Sequence, residues 1–123
     1  MTQYLLSMPH DSALEPTMAS MDPAELEATM AAAGAFIDEL TSSGALLCAG
    51  GLHPPSTAIT VDNSEGDLKL VKGPYVEAAE YLGGFWVIEA PDQDAAVTWA
   101  AKASLALQSR IEVRALQEAP APE

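Results

Sequence analysis

Two short segments of this chain are apolar at every position, and they limit its possible folds more than any other feature. Residues 45–49 read Ala-Leu-Leu-Cys-Ala, and residues 85–88 read Phe-Trp-Val-Ile. A strand with one face in water alternates apolar and polar residues, so an unbroken apolar run is typical of a strand that is covered on both faces. The fold must therefore place two apolar layers against the same sheet.

The clearest predicted helix begins at Asp22. Asp22 is a favourable N-cap, Pro23 suits the first helical position, and Glu25 completes a capping box. Apolar residues then recur at spacings of three and four, which predicts one apolar stripe made of Leu26, Met30, Ala33, Ile37 and Leu40. Gly44 supplies the left-handed residue that ends the helix.

The other elements complete an order of strands and helices. Strands are expected at residues 3–8, where Pro9 ends the strand, and at residues 110–116. Residues 57–62 and 67–72 flank a turn and predict a hairpin. A second helix is expected from Pro91 and Asp92, with a stripe of small residues and one tryptophan: Ala96, Trp99, Ala100 and Ala103. Without the hairpin the order is βαββαβ, so the predicted class is α+β: a ferredoxin-like fold with an antiparallel sheet.

Two helices can cover only one face of such a sheet. The strands at residues 45–49 and 85–88 need cover on the other face as well, and the chain offers no third helix for it. A second copy packed sheet against sheet is the simplest cover. The sequence therefore predicts a homodimer.

Charge and length restrict the classes of partner. Eighteen acids and five bases give a net charge of −13, and no Lys or Arg precedes Lys69. Nucleic acids and anionic membranes both need clustered cations, so neither is an expected partner. One domain is expected at residues 1–116, followed by a disordered tail at residues 117–123. The missing early cations and the single Cys48, expected to be buried, favour a cytoplasmic location.

Few side chains are candidates for catalysis. His10 precedes Asp11, and they form either a His–Asp general base or a solvated pair in a loop. His53 precedes a rigid pair of prolines, and it either contacts a ligand or has a structural role. The two histidines are distant in sequence and the cysteine is alone, so no metal site is predicted. No cofactor is predicted either, because no nucleotide-binding motif is present.

A rigid turn follows the hairpin. The segment from Lys72 to Tyr75 contains a Gly-Pro pair, which holds Tyr75 in a fixed position. The Lys72 ammonium and the Tyr75 hydroxyl either face an anionic or phenolic ligand or simply belong to a tight turn. A helical turn is expected at residues 76–81, where Glu77 and Glu80 form either a carboxylate pair or a solvated face.

The last strand alternates, so its residues divide between the two faces of the sheet. Ile111, Val113 and Ala115 are expected to face the core, and Arg110, Glu112 and Arg114 the opposite side. Glu112 and Arg114 either protect an exposed sheet edge or form a buried pair in a cleft on the sheet face, where the arginine binds a carboxylate ligand. Trp86 is either the aromatic wall of that cleft or part of the dimer interface.

Several stretches, in a fixed order, carry a family resemblance. They are Tyr4-Leu5-Leu6, Gly51-Leu52 with Pro54-Pro55, Gly73-Pro74-Tyr75 with Glu77 and Glu80, Leu82-Gly83-Gly84-Phe85-Trp86, and Ile111-Glu112-Val113-Arg114. From about residue 3 to residue 116 the chain resembles the YCII-related family, in its DGPF-motif branch. The resemblance implies a ferredoxin-like dimer of the dimeric α/β-barrel superfamily. A related branch contains a lyase for a chlorinated hydroxyquinol, and the wider fold includes lactone isomerases and monooxygenases.

The chain also departs from the motif of that family. Lys72 stands where the Asp that names the branch is usual, Tyr75 replaces a Phe, and Ala79 replaces a basic residue. The His–Asp pair of the other branch has no counterpart here. The resemblance therefore carries over no catalytic residue.

Two functional hypotheses follow from these features. The first is a protein that binds a small organic acid or phenol in a cleft on the sheet face, with a lyase or an isomerase as the enzyme class. Its candidate ligand-binding residues are Lys72, Tyr75, Trp86, Glu112 and Arg114. The alternative is a non-catalytic dimeric module for interaction or regulation. The sequence leaves open whether the protein is an enzyme.

Overall fold

A computed structural model describes residues 1–10, 22–74 and 81–117 of the chain. The elements, in chain order, are β1 (Thr2–His10), α1 (Pro23–Ser43), β2 (Leu46–Gly51), β3 (Ile59–Asp62), β4 (Lys69–Lys72), β5 (Tyr81–Ala90), α2 (Gln93–Leu107) and β6 (Glu112–Ala115). A single 3-10 turn, Pro55–Thr57, leads into β3. Within these residues no helix combines the length and the apolar character that crossing a membrane requires.

The strands form two separate sheets. One is antiparallel, with the order β2–β5–β1–β6, and the other is the β3–β4 hairpin. Once the hairpin is set aside, the first and third strands are central and the second and fourth are at the edges, which is the ferredoxin-like order. The predicted α+β fold with an inserted hairpin is confirmed. Strand β6 lies at an edge of the single-chain sheet, as expected.

Helix α1 begins and ends where the sequence predicts. The Asp22 carboxylate accepts a hydrogen bond of 3.2 Å from the backbone N–H of Ala24. Gly44 has a φ of 77°, and its N–H caps the last turn. The predicted apolar stripe is wrong at Met30, which is 58% exposed, because the buried face is centred on Phe36 and Leu40. At about 100° per residue, Met30 lies roughly a quarter turn away from that centre.

The core lies between the helices and one face of the large sheet. Its fully buried large side chains are Leu6, Leu40 and Ile88. The stripe predicted for α2 is confirmed: Ala96, Ala100 and Ala103 are buried and Trp99 packs against the core. Since alanine side chains are short, α2 can approach the sheet closely.

Two irregularities interrupt the pairing of strands. Between β1 and β5 the register shifts after Met8, so that Gly83 is the extra residue and Pro9 pairs with Leu82. Between β2 and β5 the extra residue is Leu47. The sequence predicted that Pro9 ends the first strand, and this prediction is wrong. Pro9 continues β1 beyond a bulge, a position where its missing N–H is tolerated.

The remaining element boundaries differ modestly from the prediction. Strand β5 begins at Tyr81 and runs through both glycines, whereas the sequence predicted a start after them. Both hairpin strands begin two residues later than predicted, and for β3 the reason is that the 3-10 turn takes up residues 55–57. The predicted helical turn falls largely on residues 75–80, which lie outside the described part of the chain.

Candidate functional site

The side of the large sheet away from the helices is a candidate binding surface, and we call it the open face. Strand pairing places on it Leu5 and Ser7 of β1, Phe85 and Val87 of β5, Cys48 of β2, and Glu112 and Arg114 of β6. All of these residues are partly or fully exposed. Its centre is apolar, so the two-sided apolar character predicted for residues 85–88 is confirmed.

Trp86 does not belong to the open face. It pairs with Leu6 on the helix side, is 7% exposed, and packs edge-on against Phe36 with ring centroids 5.5 Å apart. The interpretation of Trp86 as a wall of the sheet-face cleft, or as part of a contact through that face, is therefore wrong. An unbroken apolar run shows that both faces are apolar, but only the register with β1 decides which residue faces which side.

Cys48 is exposed on the open face, whereas the sequence predicted a buried thiol. Simple alternation from Leu46, which pairs with Ile88, would have placed Cys48 under the helices. The extra residue Leu47 reverses that alternation, and Cys48 pairs with Val87 instead.

A cleft of about 580 Å³ lies at the β1–β6 side of the open face, and we call it the arginine cleft. Its lining comprises Leu5, Ser7, Met8, Pro9, Tyr81, Leu82, Arg110, Ile111, Glu112 and Arg114. The aliphatic residues form an apolar floor. Both arginines of the chain lie at its border, together with one carboxylate, Glu112, although the chain carries a net charge of −13.

Arg114 is only loosely engaged within the chain. Its Nε lies 3.7 Å from Oε1 of Glu112, and the two side chains are 77% and 64% exposed. That separation exceeds a hydrogen bond, and an exposed pair of this kind contributes little to stability. The prediction of a buried Arg–Glu pair is therefore wrong for the single chain, in which both side chains are largely exposed. Because Glu112 approaches on the Nε side, the terminal nitrogens of the guanidinium can still meet a carboxylate.

A second cleft, of about 760 Å³, lies between the end of β2 and the β3–β4 hairpin, and we call it the hairpin cleft. Its lining comprises Leu52, His53, Pro54, Pro55, Thr57, Ala58, Ile59, Thr60, Val61, Pro74, Tyr81 and Leu82. None of these described residues is a Lys, Arg, Asp or Glu. Two hydrogen bonds hold its walls: Thr60 Oγ donates to the Gly73 carbonyl at 2.8 Å, and the Gly73 N–H donates to the Ala58 carbonyl at 2.7 Å.

The predicted site residues do not form one cluster. Glu112 and Arg114 border the arginine cleft, whereas His53 lies in the hairpin cleft. Lys72 is exposed at the end of β4 and is not among the described lining of either cleft. Five predictions concern groups outside the described part of the chain, namely the His10 side chain, Asp11, Tyr75, Glu77 and Glu80.

Sequence reasoning missed Leu82 as a site residue. Because Gly83 is the extra residue of a bulge, Leu82 pairs with Pro9 and shares its side of the sheet. Leu82 lines both clefts. The glycine pair beside it was an available signal, since a glycine inside a strand often marks a bulge.

The described residues contain no group of three His, Cys, Asp or Glu side chains placed to hold a metal ion.

Comparison with known proteins identifies the family of this fold. A search of curated proteins finds no match to the chain. The profile of the YCII-related domain matches residues 2–119. That range includes the large sheet, both helices, the hairpin and both clefts, and it confirms the resemblance drawn from the sequence at the level of the family. The chain belongs to the YCII-related domain family.

Proposed function

We propose that this protein binds a small organic acid or phenol in the arginine cleft. The observation that carries the proposal is that both arginines of a chain with net charge −13 border a single cleft. An acidic surface repels small anions, so a cleft bordered by two guanidinium groups is a favourable place on the described surface for an anion.

The cleft suits such a ligand in size and in chemistry. Its volume of about 580 Å³ lies within the range of small-molecule sites, roughly 300–1,000 Å³. A guanidinium binds a carboxylate through two parallel hydrogen bonds, and Arg114 lies beside the floor formed by Leu5 and Pro9. An aromatic ring or a short aliphatic body would contact that floor while its acid group meets Arg114.

We also propose that the protein works as a homodimer through the open face. Leu5, Phe85 and Val87 are apolar there and only half-buried, and a second copy would cover them. The dimeric α/β barrel implied by the family resemblance is a dimer of this kind. These apolar residues also favour the second candidate function, a non-catalytic dimeric module, because Phe85 and Val87 lie outside the described lining of the arginine cleft.

A lyase or isomerase would need a general base within reach of the bound ligand. His53, a candidate from the sequence, lines the hairpin cleft, which shares Tyr81 and Leu82 with the arginine cleft. We assign it that role for any turnover of the ligand. Proton NMR of benzoate incubated with the unsubstituted protein and with His53→Gln measures turnover of the ligand. Turnover by the unsubstituted protein that persists in His53→Gln would contradict this role.

The binding proposal is tested by calorimetric titration of sodium benzoate and of phenol into the full chain. Arg114→Met keeps much of the aliphatic stem and removes the charge, and it should weaken benzoate binding about tenfold or more. Lys102→Met is the matched control, because it makes the same change in net charge on α2, where Lys102 pairs with Glu39. Equal benzoate affinity of Arg114→Met and the unsubstituted protein would contradict the proposal.

The assembly proposal has its own measurement. Light scattering at micromolar concentration should give about twice the chain mass of 12.8 kDa. A monomer at that concentration would contradict the dimer and leave Phe85 and Val87 without a cover.

A further inference from the structure

The arginine cleft and the hairpin cleft share two lining residues, Tyr81 and Leu82. Leu82 lies on the open side because the bulge at Gly83 pairs it with Pro9, and 47% of it is exposed. We propose that the ligand is an amphipathic carboxylic acid whose carboxylate meets Arg114 and whose apolar body crosses Leu82 into the hairpin cleft. This inference rests on the proposed function and specifies the class of its ligand.

The two clefts differ in charge in the way that an amphipathic acid requires. The described lining of the arginine cleft contains Arg110, Glu112 and Arg114, whereas that of the hairpin cleft contains no Lys, Arg, Asp or Glu. A ligand with charge at one end and none at the other matches this division. A small acid without an apolar extension would use the first cleft only.

Exposed aliphatic side chains surround the hairpin cleft. Leu52, Ile59 and Val61 line it, and each exposes nearly half of its surface or more. An apolar ligand body would remove this surface from water, and that removal is the driving force for its binding. The hairpin has little apolar cover of its own, since every residue from 61 to 72 is exposed.

The walls of the hairpin cleft are restrained before any ligand enters. Two prolines and a 3-10 turn form one wall, where the Thr57 N–H donates to the Pro54 carbonyl at 2.9 Å. The bonds from Thr60 to Gly73 and from Gly73 to Ala58 hold the base of the hairpin against the following turn. Restrained walls lose little conformational freedom on binding, which favours affinity for a rigid apolar body.

The test compares sodium benzoate with sodium para-butylbenzoate, titrated by calorimetry into the full chain. Each buried methylene increases affinity about fourfold, so para-butylbenzoate should bind at least roughly tenfold more tightly than benzoate. Ile59→Ser and Leu82→Ser should remove most of this advantage. Leu68→Ser is the matched control, because Leu68 is similarly exposed on the same hairpin and lies outside the described lining.

The possible outcomes separate this inference from the function on which it rests. A butyl advantage that Ile59→Ser removes and Leu68→Ser preserves supports the inference, provided that Arg114→Met weakens both acids alike. Equal binding of the two acids, weakened in both cases by Arg114→Met, overturns the inference and leaves the proposed function standing. If Arg114→Met changes neither affinity, both proposals are overturned. A butyl advantage that survives both Ile59→Ser and Leu82→Ser also overturns the inference. Circular dichroism of each variant shows whether it is folded.

Discussion

The two faces of the large sheet are built from the same strands but differ in how far their side chains are buried. On β1, Leu6 points to the helices and is fully buried, whereas its neighbour Leu5 points to the open face and is half-buried. On β5, Ile88 is fully buried and Val87 is half-buried. The side chains are alike in chemistry, so the helices alone account for the difference.

This contrast separates the residues that fold the chain from those available for binding. The helix face contains the core, and its side chains are removed from water within one chain. The open face contains apolar side chains that the single chain leaves partly in water, together with the cations of the arginine cleft. A ligand or a second copy can therefore use the open face without disturbing the core.

The largest expected effect is a difference in stability between two adjacent leucines. Leu6→Ala should lower the free energy of unfolding by about 2–5 kcal/mol, because it leaves a cavity in the core. Leu5→Ala should lower it by less than about 1 kcal/mol when the protein is dilute. Urea denaturation of both variants measures the two effects. Equal losses would mean that the two faces contribute equally to folding, and would contradict the assignment of Leu6, but not Leu5, to the core.

A smaller effect is expected at Trp86, and it separates the core from the site. Trp86→Phe should lower the free energy of unfolding by roughly 1–3 kcal/mol, because the ring packs on Phe36. The variant should bind benzoate within twofold of the unsubstituted protein, as measured by calorimetry. A large loss of benzoate affinity with an unchanged free energy of unfolding would show that Trp86 belongs to the ligand site.

The fold was largely predictable from the sequence, because its signals are local. Asp22 and Gly44 delimit α1, the alternation around Val113 sets the faces of β6, and the alanine spacing sets the buried face of α2. Each of these signals lies within a few residues of what it determines. The order of elements then limits the sheet to few topologies.

The site was less predictable, because it depends on register between distant strands. Cys48 and Leu82 both reach the open side through bulges, and a single extra residue reverses the face of every residue beyond it. Trp86 was misplaced for a related reason, since its neighbours are apolar on either side. Arg114 and Glu112 were placed correctly because their strand alternates without interruption.

The single thiol gives a chemical measure of the open face. Cys48 is exposed in one chain, so it should react with Ellman's reagent in the folded, dilute protein. If a second copy covers the open face, the reaction should slow as the protein concentration rises. The absence of a reaction in folded protein that light scattering shows to be monomeric would place Cys48 in the core and contradict the bulge at Leu47.

The smallest expected effect concerns the hairpin at low pH. The Ser64 hydroxyl and the Ser64 N–H both donate to Asp62, at 2.6 Å and 3.0 Å, and hold the pKa of that carboxyl below its ordinary value. Because the pKa is lower in the folded state, this stabilisation is complete above the unfolded-state pKa and disappears as pH falls through the folded-state pKa. Carboxyl NMR should show the low value, and Ser64→Ala should raise it. An Asp62 that titrates identically in both proteins would exclude the Ser64 hydroxyl as a cause of the lowered pKa.

Ligand-detected shifts at two neighbouring side chains test the central claim most directly. In methyl-labelled protein, adding sodium benzoate should shift the Leu5 methyl signals, since Leu5 lines the arginine cleft. The Leu6 methyl signals should stay nearly unchanged, because Leu6 is buried beneath the helices. Saturable shifts at Leu5 that Arg114→Met abolishes are the predicted result. Shifts confined to Leu6 and the helix face, or no saturable shift at either residue, would contradict a ligand site on the open face.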